Sequence, residues 1–322
     1  MNLFTQLNWV LNELNNIASD KKKKIMTFVP LISSGVSGPL GVKHLPRQWL
    51  KLSLGAWGKL SPRYRAVDSR FNHMVLDSLR LSRDAVIKFI RDEHPTYTQF
   101  EGWISDQPGV KLDLSNIRQL NEAIVSFIQS DSIRLLIFNR CGLSDKSCQV
   151  RDAVGLSQLY DWQALHSSLF NPENVTKLVP LIGSGVAGPL GVCNLPRLWL
   201  KTLFEAKGRL APGYSAVDLG FDPMVLDGLE LSKEAVTTYI HGGLPTYTQF
   251  EEWIKKQPGV KLGPSSILKL NEDILNRSHY FATRMVIFDR CKLTEEKCLI
   301  RDAVGLNQLE DWKAFHESVL NP

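Results

Sequence analysis

Two arginine–lysine pairs follow glycine-rich loops and have the chemistry to bind an anion. Arg47 and Lys51 follow the first loop, and Arg197 and Lys201 follow the second. Side chains four residues apart share one face of a helix, and the N-terminal end of a helix favours anions. A guanidinium and an ammonium group together can hold a carboxylate or a phosphate. We therefore expect these four residues to bind an anionic substrate. The loops span residues 30–41 and 180–191.

The glycine-rich loops also have a simpler interpretation. Their glycine spacing matches neither the Walker A loop nor the dinucleotide-binding fingerprint, and no strand is predicted before them. The alternative to anion binding is a tightly packed loop followed by a surface arginine and a surface lysine.

Tyr214, Asp218 and Asp227 are the candidates for proton transfer. Tyr214 and Asp218 are four residues apart after a turn, and Asp227 follows Val225 and Leu226. A tyrosine and a carboxylate in one pocket can act as general acid and base, so we expect these three residues to be catalytic. The alternative is that the carboxylates stabilise turns beside a half-buried tyrosine.

Five cysteines include two pairs, Cys141–Cys148 and Cys291–Cys298, with six residues between the members of each pair. Zinc ribbons place about two to four residues between ligands, so the spacing favours buried free thiols and predicts no metal. No tightly bound cofactor is predicted. His316 follows Trp312 by one turn, which favours a packed, hydrogen-bonded histidine.

The odd cysteine count and the absence of a secretory signal predict a cytoplasmic location.

The chain of 322 residues repeats itself: residues 25–172 and 175–322 align without a gap at a constant offset of 150. Differences between the copies are informative. Arg63 and Arg70 replace Gly213 and Gly220, and replacing glycine removes easy access to positive φ. We therefore expect one good site and one altered site rather than two equal sites.

Helix signals recur along each copy. Pro46 suits a first helical turn, Ser82 an N-cap, and Thr96 with Gln99 a capping box. Ser115 is a candidate cap for a further helix, and residues 133–138 suit either a strand or a helix. No useful stretch alternates with period two. The sequence predicts a mainly α protein: two homologous modules in tandem, each with about six short helices, related by an approximate internal two-fold axis.

Residues 1–24 form a separate segment. Apolar residues recur at helical spacing and precede four consecutive lysines, Lys21 to Lys24. We expect an amphipathic surface helix with a lysine-rich linker that packs on a module or on a protein partner; a membrane-surface anchor is the alternative. The lysine run accounts for most of the net charge of +5. Neither a basic stripe nor a membrane-length apolar run occurs, so no nucleic-acid partner and no transmembrane segment are expected.

The second copy contains an ordered set of short motifs. They are Gly208-Arg-Leu-Ala-Pro-Gly-Tyr214, Gly220-Phe-Asp222, Val225-Leu-Asp227, Leu231-Ser-Lys-Glu-Ala235 and Pro245-Thr-Tyr-Thr-Gln-Phe-Glu-Glu-Trp253. In this order they resemble the bacterial domain of unknown function 5069 family, whose members are usually single modules of this length. The first copy departs from the pattern at Arg63, Arg70 and Asn72. The resemblance implies a shared fold and assigns no catalytic residues.

Three functions are consistent with these patterns, and we expect the first. The first is an enzyme acting on a small anionic metabolite, a carboxylate or a phosphate, without a tightly bound metal. The second is a non-catalytic protein that binds a small ligand in the same pocket. The third is a protein-interaction module that uses residues 1–24 as a docking element.

Overall fold

A computed structural model describes residues 26–67, 70–170, 176–296 and 298–320. These residues form α-helices joined by loops, with isolated β-bridges and no β-strand among them. The prediction of a mainly α protein is confirmed. None of the described helices has the length and apolarity to cross a membrane. The predicted amphipathic helix at residues 1–24 lies outside the described residues.

The fourteen α-helices of the described ranges fall into two sets of seven, which we call the first and second halves of the structure. The first half contains α1 (Leu45–Ala56), α2 (Arg70–Leu79), α3 (Arg83–Glu93), α4 (Tyr97–Ser105), α5 (Leu114–Val125), α6 (Asp131–Cys141) and α7 (Ala153–Leu169). The second half contains α8 (Leu195–Ala206), α9 (Asp222–Leu229), α10 (Lys233–Gly243), α11 (Tyr247–Ile254), α12 (Pro264–Leu275), α13 (Phe281–Cys291) and α14 (Ala303–Phe315), followed by a π-helical turn at His316–Leu320.

The helix ends follow local sequence chemistry. Thr96 and Gln99 form the predicted capping box of α4, and Ser82 caps α3 through the backbone N–H of Ala85. The prediction that Ser115 caps α5 is wrong. The Asp113 carboxylate accepts the hydrogen bond from the N–H of Asn116 at 2.9 Å, so the helix starts earlier. The ambiguous residues 133–138 lie in α6.

The glycine-rich loops pack against α4 and α11. A side chain at Gly38 would overlap the ring of Tyr97 and the carboxylate of Glu101, and Gly188 faces Tyr247 and Glu251 in the same way. Glycine is therefore required for close approach between the loop and the helix. The close packing of the loops agrees with the second interpretation of the sequence, but that interpretation is wrong in placing the arginines and lysines after the loops on the surface, because all four are buried.

Hydrogen bonds join the two halves, and two of them form a reciprocal pair. The hydroxyl of Thr98 donates to the carbonyl oxygen of Cys291 at 2.9 Å, and the hydroxyl of Thr248 donates to the carbonyl oxygen of Cys141 at 2.8 Å. The two contacts are equivalent, because Thr248 follows Thr98 and Cys291 follows Cys141 by the same offset of 150 residues. The start of α4 thus meets the end of α13, and the start of α11 meets the end of α6.

Two histidines extend this junction in the same reciprocal manner. Nε2 of His316 lies 2.8 Å from the carbonyl oxygen of His94, and Nε2 of His166 lies 2.7 Å from that of Leu244. Both histidines are hydrogen-bonded in packed surroundings, as the sequence predicts. Edge-to-face aromatic contacts join the halves beside them, Tyr97 with Trp312 and Tyr247 with Trp162.

Candidate functional site

Arg197 is buried and binds groups of its own chain. Its Nη1 atom lies 2.7 Å from Oδ2 of Asp311 and also donates to the carbonyl oxygens of Pro180 and Ile182. Its Nη2 atom donates to Oδ1 of Asp311 at 3.2 Å, which makes the ion pair bidentate. The hydroxyl of Tyr214 donates to the same carboxylate at 2.8 Å. The anion expected at this arginine is therefore supplied by the protein itself.

Arg47 occupies the same arrangement in the first half. It pairs with Asp161 through Nη1 at 2.7 Å and Nη2 at 3.2 Å, and the hydroxyl of Tyr64 donates to Asp161 at 2.8 Å. The Arg47 and Asp161 side chains are both almost fully buried. Burial raises the pKa of Asp161, whereas Arg47 and Tyr64 act in the opposite direction. Each network ties the start of a glycine-rich loop to the last helix of its half.

Lys201 is also buried, and its ammonium group forms an ion pair with the carboxylate of Asp222. Asn194 donates to the same carboxylate at 2.7 Å. In the first half, Lys51 is buried at the equivalent position, and Asn72 stands where the second half has Asp222. The predicted substrate-binding lysines thus lie inside the two halves, beside their arginines.

His44 adds a feature that the sequence did not indicate. Its Nδ1 atom lies 2.9 Å from the hydroxyl of Ser34, and its Nε2 atom lies 2.8 Å from Oδ1 of Asn72. This is the order of nucleophile, base and orienting group found in hydrolases. However, Ser34 is only 2% exposed and lines none of the clefts described below. Burial lowers the pKa of His44 to about 3, with Arg47 and Lys51 contributing, so the histidine is neutral.

Asp218 and Asp227 lie on the surface. Asp218 forms an ion pair with Lys233 and also accepts a hydrogen bond from Ser215, whereas Asp227 is an exposed residue of α9. The hydroxyl of Tyr214 points instead to the buried Asp311. The structure therefore brings Arg197 and Tyr214 together at Asp311, and it leaves both predicted catalytic aspartates outside that group.

Two buried glutamates lie under the glycine-rich loops. Tyr97 donates to Glu101, and Oε2 of Glu101 accepts a hydrogen bond from the N–H of Leu40 at 3.2 Å. Burial raises the pKa of Glu101 to about 8 and that of its counterpart Glu251 to about 7. Sequence analysis missed both residues. The available signal was a tyrosine and a glutamate four residues apart on one predicted helix, in each half of the chain.

All five cysteines are free and buried, which confirms the predicted free thiols. Burial raises the pKa of the Cys141 and Cys291 thiols to about 12, so neither is a reactive thiolate at neutral pH. Within the described parts of the chain, no group of three or more histidine, cysteine, aspartate or glutamate side chains is arranged to hold a metal ion.

A cleft opens where the start of α4 meets the end of α13, and we call it the α4–α13 cleft. Its volume is about 210 Å³, which is below the usual range for drug-sized ligands and leaves room for a compact one. Arg290, Lys292 and Lys313 line one wall, and Thr96 and Gln99 line the other. No acidic residue is among its lining residues. This is where cations of one half face polar groups of the other.

The reciprocal junction, between α11 and α6, contains a wider cleft with a volume of about 880 Å³, which we call the α11–α6 cleft. Arg140 lines it at the position equivalent to Arg290. Gly142 and Gln163 occupy the positions of the two lysines of the first cleft, and Glu252 is an acidic lining residue. The two clefts therefore share one arginine and differ in charge.

Comparisons of the chain with family models, curated proteins and solved structures find no match. The function is therefore argued from the geometry and chemistry of the sites.

Proposed function

We propose that the chain is a tandem duplication of one helical module, with copies at residues 25–172 and 175–322 related by an approximate two-fold axis. The seven helices of the two halves follow one another in the same order. The contacts at the junction are reciprocal, as in an isologous interface between identical subunits. The resemblance of the sequence motifs to single-module members of the domain of unknown function 5069 family supports the same proposal.

We propose further that the protein binds a small anionic ligand, a carboxylate or a phosphate, in the clefts between the modules, without catalysis. The observation that carries this proposal is the convergence of Arg290, Lys292 and Lys313 on one cleft. Cations that line one concave surface raise the local concentration of anions. Binding is favoured over catalysis because the candidate proton-transfer group Tyr214 is hydrogen-bonded to an internal carboxylate.

The test is calorimetric titration of the full chain with inorganic pyrophosphate and with citrate at low ionic strength. Replacing the arginine shared by the clefts, in the double variant R140A/R290A, should weaken binding roughly tenfold or more, since it removes a charge-assisted contact. Lys269→Ala removes one positive charge from an exposed position outside both clefts and serves as the control. Absence of binding by the wild-type chain, or equal affinity of R140A/R290A and wild type, would contradict the proposal.

A protein-interaction role is the second candidate function, and exposed apolar residues favour it. Two segments, residues 125–136 and 275–286, carry ten of the fifteen exposed large apolar side chains among the described residues. They are Val125, Ile128, Ile133, Leu135, Leu136, Leu275, Tyr280, Phe281, Met285 and Val286. Clusters of this kind commonly mark protein-interaction surfaces.

The occupant that fits these surfaces is a second copy of the chain. Each segment contains an arginine that an acid of the same chain already neutralises: Arg134 pairs with Asp131 and Asp145, and Arg284 pairs with Glu295. Two copies of the same surface can therefore meet without repulsion between these arginines. Sedimentation should detect self-association at concentrations below about 1 mM, and L136E/V286E should abolish it. L219E, at an exposed leucine outside both segments, is the control. A monomeric wild-type chain would overturn this candidate.

Partner binding through residues 1–24 stays a prediction, since those residues lie outside the described structure.

A further inference from the structure

We infer that the α4–α13 cleft is the single anion site of the chain and that its ligand is a compact polyanion, such as a diphosphate or a tricarboxylate. This inference rests on the proposed binding function and specifies its site, stoichiometry and ligand class. It depends on the differences between the two clefts at equivalent positions.

The charge of the lining residues separates the two clefts. Arg290 and Arg140 are equivalent, but Lys292 and Lys313 are replaced by Gly142 and Gln163 in the α11–α6 cleft. That cleft does contain Lys256, yet Glu252 lines it as well. Three cations without a lining acid therefore face one cleft, and two cations with one acid face the other.

Acidic residues beside the α4–α13 cleft pair with two of its cations without blocking the approach of a ligand. Arg290 pairs with Glu310 at 2.8 Å, and Lys313 pairs with Glu317. Arg290 is 62% exposed and Glu310 is 31% exposed, whereas Lys313 is 28% exposed and Glu317 is 58% exposed, so each pair keeps one solvated member and a ligand can join it. Lys292 forms no ion pair with any residue that the structure describes.

The backbone at Lys292 is left-handed, and its side chain borders the cleft. Lys292 follows α13 with φ of 56°, and Gly142 follows α6 with φ of 66°. Glycine is the favoured residue in this left-handed position, because a side chain there is strained. The first copy has glycine, whereas the second has lysine at a strained position that borders the cleft. Glu230 and Leu244 also end helices in this conformation, so it is the position of the Lys292 side chain at the cleft that supports a role for it.

The size of the cleft and the number of cations define the ligand class. Three cations around a cleft of about 210 Å³ suit a compact molecule with two or more negative groups. A monoanion would engage only part of this charge. The wider α11–α6 cleft disperses its charge over about 880 Å³. Phosphate and carboxylate groups share the recognition chemistry, so both must be tested.

The experiment uses the full chain and exchanges the clefts' side chains. K292G/K313Q gives the α4–α13 cleft the residues of its counterpart, and G142K/Q163K does the reverse. Calorimetry with pyrophosphate, citrate and acetate measures affinity and stoichiometry. The wild-type chain should bind one pyrophosphate or one citrate and no detectable acetate. K292G/K313Q should bind at least about tenfold more weakly, and G142K/Q163K should bind two ligands per chain.

Each outcome bears on a different part of the argument. Two equal sites in the wild type, or unchanged affinity in K292G/K313Q, would overturn the single-site inference and leave the proposed binding function standing. Acetate binding as tight as pyrophosphate binding would overturn the polyanion class. No binding to either the wild type or G142K/Q163K would overturn the binding function itself. A preference between pyrophosphate and citrate identifies the ligand as a phosphate or a carboxylate.

Discussion

Two cationic regions of this protein differ in where the structure places them. Arg197 and Lys201 lie in the core, where Asp311 and Asp222 neutralise them. Arg290 and Lys292 lie at a junction between the halves and line an open cleft. An arginine after a glycine-rich loop therefore indicates an anionic partner. The sequence pattern does not distinguish a bound ligand from a carboxylate of the same chain.

Breaking the core network should have the largest effect. Arg197→Ala leaves Asp311 buried without its guanidinium partner, which should lower the free energy of unfolding by about 3–5 kcal/mol. Arg47→Ala should have a similar effect through Asp161. Denaturant unfolding at neutral pH measures both. A loss well below about 1 kcal/mol in either variant would mean that the ion pair contributes little and that Arg197 is available to a ligand.

The buried glutamates should make stability fall as the pH rises. The pKa of Glu101 is about 8 in the folded protein against 4.5 ordinarily, so its contribution is fully present below about pH 4.5 and is lost as the pH rises through about 8. Glu251 acts similarly up to about pH 7. We expect E101Q/E251Q to be less stable than wild type at low pH and more stable above pH 8. Parallel pH profiles of unfolding would refute the assignment.

A methyl group at Gly38 should disrupt the contact between the loop and α4. Gly38→Ala places the methyl against Tyr97 and Glu101, and overpacking of this kind costs about 1–3 kcal/mol. Gly102→Ala is the matched control, because this exposed glycine of α4 has open space around it and alanine should stabilise the helix by about 0.5–1 kcal/mol. Thermal unfolding of the two variants should shift in opposite directions. Equal shifts would contradict the close approach at Gly38.

The smallest effect on stability is expected at the cleft. Lys292→Gly relieves a left-handed backbone and should stabilise the fold by up to about 1 kcal/mol, while weakening anion binding. Unfolding and calorimetry on the same variant test this separation of stability from binding. A destabilised variant would mean that the lysine serves the fold.

Local features of the fold were predictable, and long-range pairings were not. The capping box at Thr96 and the buried cysteines follow from spacing within a few residues. The partner of Arg197 is Asp311, 114 residues away, and no local pattern indicates that pairing. Residues 133–138 stayed ambiguous because a short apolar run suits a strand or a helix, and packing against α7 decides between them.

The candidate cleft was beyond the reach of sequence patterns for the same reason. Thr96 and Lys292 come from different halves, and only the packing of the halves places them on opposite walls. The glycine differences between the copies led us to expect one good site and one altered site, and this stays a prediction. The positions that differ at the clefts, Lys292 and Lys313 against Gly142 and Gln163, are separate from the glycine replacements that motivated this expectation.

The most direct test of the central claim is a crystal structure of the full chain grown at low ionic strength with pyrophosphate. The account predicts one pyrophosphate per chain, bound by Arg290, Lys292 and Lys313 in the α4–α13 cleft, with the Arg197–Asp311 pair intact. Pyrophosphate bound at Arg197 in place of Asp311, or equal occupancy of both clefts, would contradict it.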